Sequence, residues 1–452
     1  MTPGARLQAA IDLLTEIHGG SAPADRTVAA FFRGRRYIGG QDRRAVVDRV
    51  YAVLRHRARL DWWLARAAGG GAGDALGFNP GTNRLRMLAA LAILEGWSAD
   101  RIAGAFDGGQ YRPARLSRHE TELAHKLAGK SLGHPEQPAW VRLEIPPWLE
   151  HQLRNLFGPR LEAEAAALGV EAPLDLRVNT LKATRAEAIA ALAAAGITAE
   201  PTPLSPIGLR VQGRPPLATL PPFRDGLVEV QDEGSQLVAL LADARPGLRV
   251  VDFCAGAGGK TLAMAAQMRN KGHIVACDVL RGRVDRAAVR LNRAGVHNVE
   301  RRGLSTERDP WVKRHARGFD RVLVDAPCSG VGTWRRNPDA KWRFGKEDLA
   351  AVIDLQRRIL DSAARLVKPG GRLIYATCSL LPSENAAQVT AFLNEHPDFA
   401  LRPVADLWPE AVGGAIPAAG ETLQLTPASH GTDGFFVAVL EWSAAPAARE
   451  SA

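Results

Sequence analysis

Val250-Val251-Asp252-Phe253-Cys254-Ala255-Gly256-Ala257-Gly258-Gly259-Lys260-Thr261 runs from an apolar β-branched stretch into a glycine-rich turn and then into a helical pattern. A strand, a turn of this kind and a helix open a parallel α/β sheet, and glycine lets the backbone of the turn approach a ligand closely. A phosphate-cradling loop would need glycine at position 254, ahead of Gly259-Lys260, and Cys254 stands there. A dinucleotide fingerprint begun at Gly256 and Gly258 would need glycine or alanine at 261, where Thr261 stands. Asp278 closes the next strand, placed where a carboxylate accepts hydrogen bonds from both ribose hydroxyls of a nucleoside. An adenosine ligand without a pyrophosphate is implied, and S-adenosylmethionine fits that description.

Outward from this stretch the pattern alternates between strands and helices. Strands are predicted over residues 249–253, 273–278, 298–302, 320–325 and 372–377, with crossover helices between them. A last strand over 434–440 pairs with 423–425 in an antiparallel hairpin, and residues 444–452 are small and polar enough for a disordered tail. Upstream, residues 4–130 carry helical spacing, as in Leu7-Ile11-Leu14 and Val46-Val50-Val53-Leu54, interrupted by a loop at Gly69-Gly70-Gly71-Gly73. Between these regions lies a small α+β module: a helix closed at Gly158, the strand Leu174-Asp175-Leu176-Arg177-Val178-Asn179, a helix from Thr184 ended by Gly196, and a strand at Gly208-Leu209-Arg210-Val211. Its exit is the proline-rich stretch 215–222. Three domains suit 452 residues at a prior of ~150 residues each.

Composition narrows the partner. Lys and Arg number 58 against 48 Asp and Glu, a formal charge of +10 that favours a polyanion through counterion release. No apolar run approaches a membrane span, and residues 1–14 lack a leader pattern, so a cytoplasmic protein with no membrane partner is expected. Beyond Cys328, Trp334-Arg335-Arg336-Asn337-Pro338-Asp339-Ala340-Lys341-Trp342-Arg343 interleaves cations with aromatic rings, a composition suited to holding phosphates and stacking on splayed bases.

Four cysteines occur, Cys254, Cys277, Cys328 and Cys378, too widely spaced for a CxxC metal pattern or a disulfide framework, so no metal is expected. Cys277, inside Ile274-Val275-Ala276-Cys277, reads as a small buried hydrophobe. Cys328 and Cys378 follow the carboxyl ends of two strands of one sheet, in Leu323-Val324-Asp325-Ala326-Pro327-Cys328-Ser329-Gly330 and Ile374-Tyr375-Ala376-Thr377-Cys378-Ser379. That is the edge at which such sheets bind ligands. Two thiols there suit one chemistry. C5 of cytosine is too poor a nucleophile to take a methyl group until a thiolate adds to C6, and the adduct must afterwards be released. A reactive thiolate, an acid near N3 and a group assisting release are needed. Asp325 is the candidate acid. Cys378 precedes a helical pattern starting near Ser383-Glu384-Asn385, and a helix N-terminus lowers a thiol pKa. Position at the sheet edge does not say which thiol is the nucleophile.

Together these motifs resemble those of the Sun family of RNA cytosine-5 methyltransferases, most of all its bacterial RsmB-type members. The resemblance spans nearly the whole chain. It rests on the cofactor turn, Asp325-Ala326-Pro327-Cys328-Ser329-Gly330, Ala376-Thr377-Cys378-Ser379, Val230-Gln231-Asp232-Glu233-Gly234-Ser235-Gln236, Leu176-Arg177-Val178-Asn179-Thr180 and Thr432-Asp433-Gly434-Phe435-Phe436. It implies a class I, Rossmann-like α/β methyltransferase domain over residues 226–443, an all-α NusB-like RNA-binding domain over 1–135 and a small α+β RNA-binding module over 140–225. It implies that Cys378 forms the covalent bond and Cys328 assists elimination; Thr377-Cys378-Ser379 marks the RNA type, whereas DNA enzymes use the Pro-Cys cysteine. It places Cys254, Ala255, Gly256, Ala257, Gly258, Gly259, Lys260, Asp278, Arg283 and Asp325 around S-adenosylmethionine. The implied substrate is structured RNA, first small-subunit (16S) ribosomal RNA, with transfer RNA or a catalytically silent ribosome-assembly role as alternatives, and a monomer is expected. Two departures stand out: the turn reads Ala255-Gly256-Ala257-Gly258-Gly259 where the family usually has Ala-Ala-Pro-Gly-Gly, and Leu304 stands where an acidic residue commonly lies near the adenine.

Overall fold

A computed structural model of the chain describes residues 1–70, 80–417 and 420–443. The expected tail at 444–452 and the glycines Gly71 and Gly73 of the expected loop lie outside the described residues. The chain forms two compact units, Met1–Val170 with Trp334–Phe344, and Glu171–Thr333 with Gly345–Ala452.

The first unit is helical, with helices at Pro3–Gly19, Ala24–Gly34, Gly40–Arg55, Arg57–Ala67, Pro80–Ile93, Ala99–Ala105 and Arg118–Leu127 and further ones to Gly169. The spacing that predicts these helices also builds their core: Leu7, Leu14, Val46, Val50, Val53 and Leu54 are all buried together. Thr2 caps the first helix, and Ser117 with Glu120 forms a capping box on the last of the long ones. The helices Pro147–Phe157 and Leu161–Gly169, in the stretch where the α+β module is expected, pack within this compact unit. Hydrogen bonds tie their segment there: Glu144 accepts from the amides of Ala58 and Arg59 at 2.9 and 3.1 Å, and Arg55 donates to the Val170 carbonyl at 3.3 Å.

The interleaved loop expected to hold RNA is also part of this unit, and Lys341 and Arg343 are engaged within it. Arg335 is 3% exposed, so it presents no guanidinium to a phosphate. Lys341 is buried and donates to the Glu144 carbonyl at 3.0 Å. Arg343 donates to the carbonyls of Ser21 and Ala22 and pairs with Asp339. Trp334 is buried, and Trp342 packs on the helical core. Aromatic area gains more from burial than from exposure, and the cations follow it inward to carboxylate and carbonyl partners.

The second unit holds two sheets. The smaller is antiparallel, in the order β2-β3-β1-β4, with β1 at Leu174–Val178, β2 at Ala199–Pro201, β3 at Gly208–Val211 and β4 at Val228–Val230. Leu176, Val178, Leu209 and Val228 face Ala188 and Leu192 of the helix Arg185–Ala194, which is capped by Thr184 and Glu187. Because β4 pairs with β1, through Leu176↔Val230 and Val178↔Val228, this sheet extends past the expected boundary at 225.

The larger sheet runs β10-β12-β9-β8-β5-β6-β7, with β11 on β12. Its strands are β5 (Arg249–Asp252), β6 (His273–Asp278), β7 (Val299–Gly303), β8 (Phe319–Asp325), β9 (Val367–Thr377), β10 (Phe399–Arg402), β11 (Leu423–Leu425) and β12 (Phe435–Trp442). The five strands from β7 to β9 are parallel, while β12 is antiparallel to β9, β10 and β11. Val250, Ile274 and Leu323 point to one buried face and Val251, Val275 and Val322 to the other, so these strands read as continuous apolar runs. β10 was not foreseen, since four residues between polar turns leave little periodicity. From β5 the order proceeds outward to β6 and β7 on one side and to β8 and β9 on the other. The switch point, and with it the ligand crevice, lies at the carboxyl ends of β5 and β8.

In the helical unit, burial raises the Glu144 pKa and lowers that of Lys341 to about 8, with each opposing charge acting against these shifts. Glu144→Gln strands the buried Lys341 charge and takes the carboxylate from Arg59. It should cost the helical unit about 3–5 kcal/mol, read as a lower urea midpoint.

Candidate functional site

The cofactor turn follows β5. Gly256 and Gly258 have φ of +56° and +80°, conformations that favour glycine, and Gly258 ends the turn as the N-cap of the helix Gly259–Gln267. A Cβ on Gly258 would come within 3.1 Å of Ala287 Cβ, whereas one on Gly256 would meet open space. Asp278, at the end of β6, braces the turn: its Oδ2 accepts from the Gly256 amide at 2.9 Å and its Oδ1 from the Leu280 amide at 2.7 Å. Ala255 donates to the Cys277 carbonyl at 2.8 Å.

Three carboxylates surround this turn. Asp252 is buried, its Oδ2 accepts from the Thr261 hydroxyl at 2.6 Å, and its Oδ1 has no partner. Burial pushes its pKa up to about 7, the Thr261 hydroxyl opposes the shift, and the Asp325 and Asp278 charges add to it. Asp325, at the end of β8, accepts from the Lys260 ammonium at 2.6 Å. Burial works against that ammonium, but the Asp325 charge and hydrogen bond outweigh it and raise the Lys260 pKa. Acceptors grouped around an open glycine turn, with one buried oxygen lacking a partner, suit a ligand carrying hydroxyls and positive charge. S-adenosylmethionine, with two ribose hydroxyls, an ammonium and a sulfonium, matches that set.

Cys254 through Lys260, Asp278 and Asp325 therefore come together at one sheet edge, as their motifs led us to expect. Arg283 is exposed on the first turn of the helix Arg281–Ala294, which follows β6. Seven residues on, and so on the same helix face, Arg290 donates to the Ala257 carbonyl at 2.8 Å. That spacing was the available signal for a residue the sequence pattern had not singled out.

The two thiols meet because β8 and β9 are neighbours, paired through Val324↔Tyr375 and Asp325↔Ala376. Cys328 and Cys378 bring their sulfurs to 3.3 Å. The hydrogen bond with Cys378 and burial both raise the Cys328 pKa. Cys254 is also raised, by burial and then by the neighbouring carboxylates, and Cys277 is buried at 0% exposure as an inert core residue. The helix after Cys378 begins at Ala386, later than expected, so its N-terminus does not lie directly behind the cysteine.

Glu384 fills the space between. It is fully buried, and its carboxylate accepts from the Ser329 amide at 2.8 Å, the Ser329 hydroxyl at 2.5 Å, the Ser379 hydroxyl and Gln356 Nε2 at 3.0 Å. Ser329 follows Cys328 and Ser379 follows Cys378, so one carboxylate clamps both cysteine loops. A second link is made by backbone. Gly332 donates to the Cys378 carbonyl at 3.0 Å, Gly434 donates to the Gly332 carbonyl at 2.8 Å, and a Cβ on Gly332 would stand 2.3 Å from the Gly434 oxygen. Glutamate five residues after a strand-end Thr-Cys-Ser was visible in the sequence, but its clamping role depends on Ser329 arriving from another strand.

Residues 239–441 match the protein family described as 16S rRNA methyltransferase RsmB/F, and residues 145–218 match the RsmF/B-like ferredoxin-like domain. The probable ribosomal RNA small subunit methyltransferase B of Synechocystis sp. is 32% identical over 417 residues, covering 88% of this chain and 91% of the relative. Ribosomal RNA small subunit methyltransferase B of Pectobacterium atrosepticum is 35% identical over 428 residues, covering 90% and 92%. The crystal structure of PH0851 superposes with a TM-score of 0.77 at 27% identity, covering 98% of this chain and 99% of that one. The chain belongs to the RsmB/F family of S-adenosylmethionine-dependent ribosomal RNA methyltransferases.

Proposed function

We propose that this protein methylates C5 of a cytosine in small-subunit ribosomal RNA through a covalent bond between Cys378 and C6. The observation that carries the proposal is the sulfur pair at 3.3 Å, clamped by one buried carboxylate at the carboxyl edge of the sheet, beside the cofactor turn. The names of the two relatives, small subunit methyltransferases B, support that substrate.

In this reading Cys254, Ala255, Gly256, Ala257, Gly258, Gly259, Lys260, Asp278 and Asp325 hold S-adenosylmethionine, with Asp278 at the ribose. The cofactor supplies an electrophilic methyl group on its sulfonium. Cys378 acts as the thiolate that adds to C6 of a cytosine drawn out of its stack. The charge of a Cys378 thiolate is felt at the Lys260 ammonium. In this reading Asp325, paired with Lys260, is the acid that serves N3. After C5 has been methylated, its proton leaves to a base, the C6–Sγ bond breaks, and the electron pair returns to Cys378. The Cys328 thiol, 3.3 Å away, steadies that departing thiolate by hydrogen bonding. RNA reaches the site through contacts other than Arg335 and Lys341, since both are buried.

Asp278→Ala should weaken S-adenosylmethionine binding at least about tenfold, the equivalent of one charge-assisted hydrogen bond of ~1.5 kcal/mol, and leave RNA affinity nearly intact. Calorimetry reads the first and filter retention the second; unchanged cofactor affinity removes Asp278 from the site. Glu384→Ala takes an acceptor from the Ser329 amide, two hydroxyls and Gln356. A loss of about 3 kcal/mol in urea unfolding is expected, with slower adduct formation.

The two cysteines have opposite effects on the covalent protein–RNA adduct. With S-adenosylmethionine and substrate RNA, Cys378→Ser should give neither adduct nor methylation on a denaturing gel, while Cys328→Ser should accumulate a slow-migrating adduct. The reverse pattern would make Cys328 the nucleophile. An adduct in neither, with only lowered stability, would reduce both to packing residues.

A further inference from the structure

We propose that Glu229 and Arg290 are a positioning pair through which the small antiparallel sheet sets the shape of the cofactor turn. Glu229 lies in β4, is 2% exposed, and has Arg177 of β1 as its cross-strand partner. Its Oε2 accepts from Nε and Nη2 of Arg290 at 3.3 and 3.2 Å, and its Oε1 accepts from Arg293. The remaining amine of Arg290, Nη1, donates to the Ala257 carbonyl at 2.8 Å. One guanidinium thus bridges a buried carboxylate of the small sheet and the middle carbonyl of the turn.

The chemistry gives this bridge a direction. Two N–H groups on one carboxylate fix the plane of a guanidinium, so the aim of its third nitrogen is set by Glu229. The turn has little stiffness of its own at this point, because Ala257 stands between two glycines with positive φ. Glu229 also keeps apart three cations that would otherwise crowd together. Arg177 is buried, its Nε donates to Gln231 at 2.6 Å and its Nη1 has no partner. Burial lowers its pKa to about 10, the Glu229 charge holds it up and the Arg290 charge presses it down. Without the carboxylate, Arg177, Arg290 and Arg293 repel one another, and Arg290 leaves the Ala257 carbonyl.

The proposal rests on the assignment of this turn to S-adenosylmethionine. Calorimetric titration of S-adenosylhomocysteine into the full-length protein tests it without turnover. Arg290→Met should weaken binding about tenfold, and Arg290→Lys, whose ammonium still reaches a carbonyl, should recover most of that loss. Glu229→Gln should weaken binding as Arg290→Met does, and the double variant should be no weaker than Arg290→Met alone, as expected for residues acting in series. If Glu229→Gln does not fold, the two Arg290 variants decide the matter, because that side chain is 26% exposed and tolerates exchange. Lower melting temperatures with unchanged affinity in the folded Arg290→Met protein overturn the proposal. Failure of the wild-type protein to bind S-adenosylhomocysteine overturns the cofactor assignment itself, and this inference with it.

Discussion

A carboxylate shut off from water must find its hydrogen bonds inside the protein, and Glu384 finds them on both cysteine loops at once. Its two oxygens accept from an amide and a hydroxyl at Ser329, a hydroxyl at Ser379 and the amide of Gln356. Without the carboxylate the Ser329 amide would lose its partner, and both hydroxyls and Gln356 would each lose an acceptor. The loops cannot move apart without exposing that deficit, so the 3.3 Å separation of the two sulfurs is a consequence of satisfied polar groups as much as of strand order. Gln356 extends the clamp by donating to the Pro327 carbonyl, and the Tyr375 hydroxyl donates to the Glu384 carbonyl.

Around the turn the same principle operates with charge. Asp252 feels the charges of Asp278 and Asp325, and Lys260 brings a compensating charge to 2.6 Å from Asp325. The motif Gln231-Asp232-Glu233-Gly234-Ser235-Gln236 serves a different end: Gln231 accepts from Arg177, Asp232 caps the helix Glu233–Leu241, and Glu233 accepts from the amides of Leu204 and Ser205. These bonds join the small sheet to the large one. A motif can thus be specific to a family and still be structural.

The cationic, aromatic run beyond Cys328 shows how composition misleads when tertiary structure is unknown. Rings and guanidinium groups in alternation read as a surface for bases and phosphates. In the folded chain Trp334 and Arg335 are buried, Lys341 lies against Glu144, and Arg343 satisfies carbonyls at Ser21 and Ala22. Nothing local distinguishes the two outcomes, because the partners lie some 200 to 300 residues earlier in the chain.

What the sequence determined by itself is whatever depends on neighbours along the chain. The apolar runs of β5, β6, β8 and β9, the glycine turn with its positive φ values, the capping residues Thr2, Ser117 and Thr184, and the arrival of Asp278, Asp325, Cys328 and Cys378 at strand ends follow from local spacing and steric freedom. What only the tertiary structure decided is whatever depends on which strands lie side by side. The pairing of β8 with β9 joins the sulfurs, the pairing of β4 with β1 sets Glu229 beside Arg177, and Glu384 and Arg290 acquire their roles from partners on other elements. A side chain's hydrogen bonds are fixed by distance in space, and a sequence records only distance along the chain.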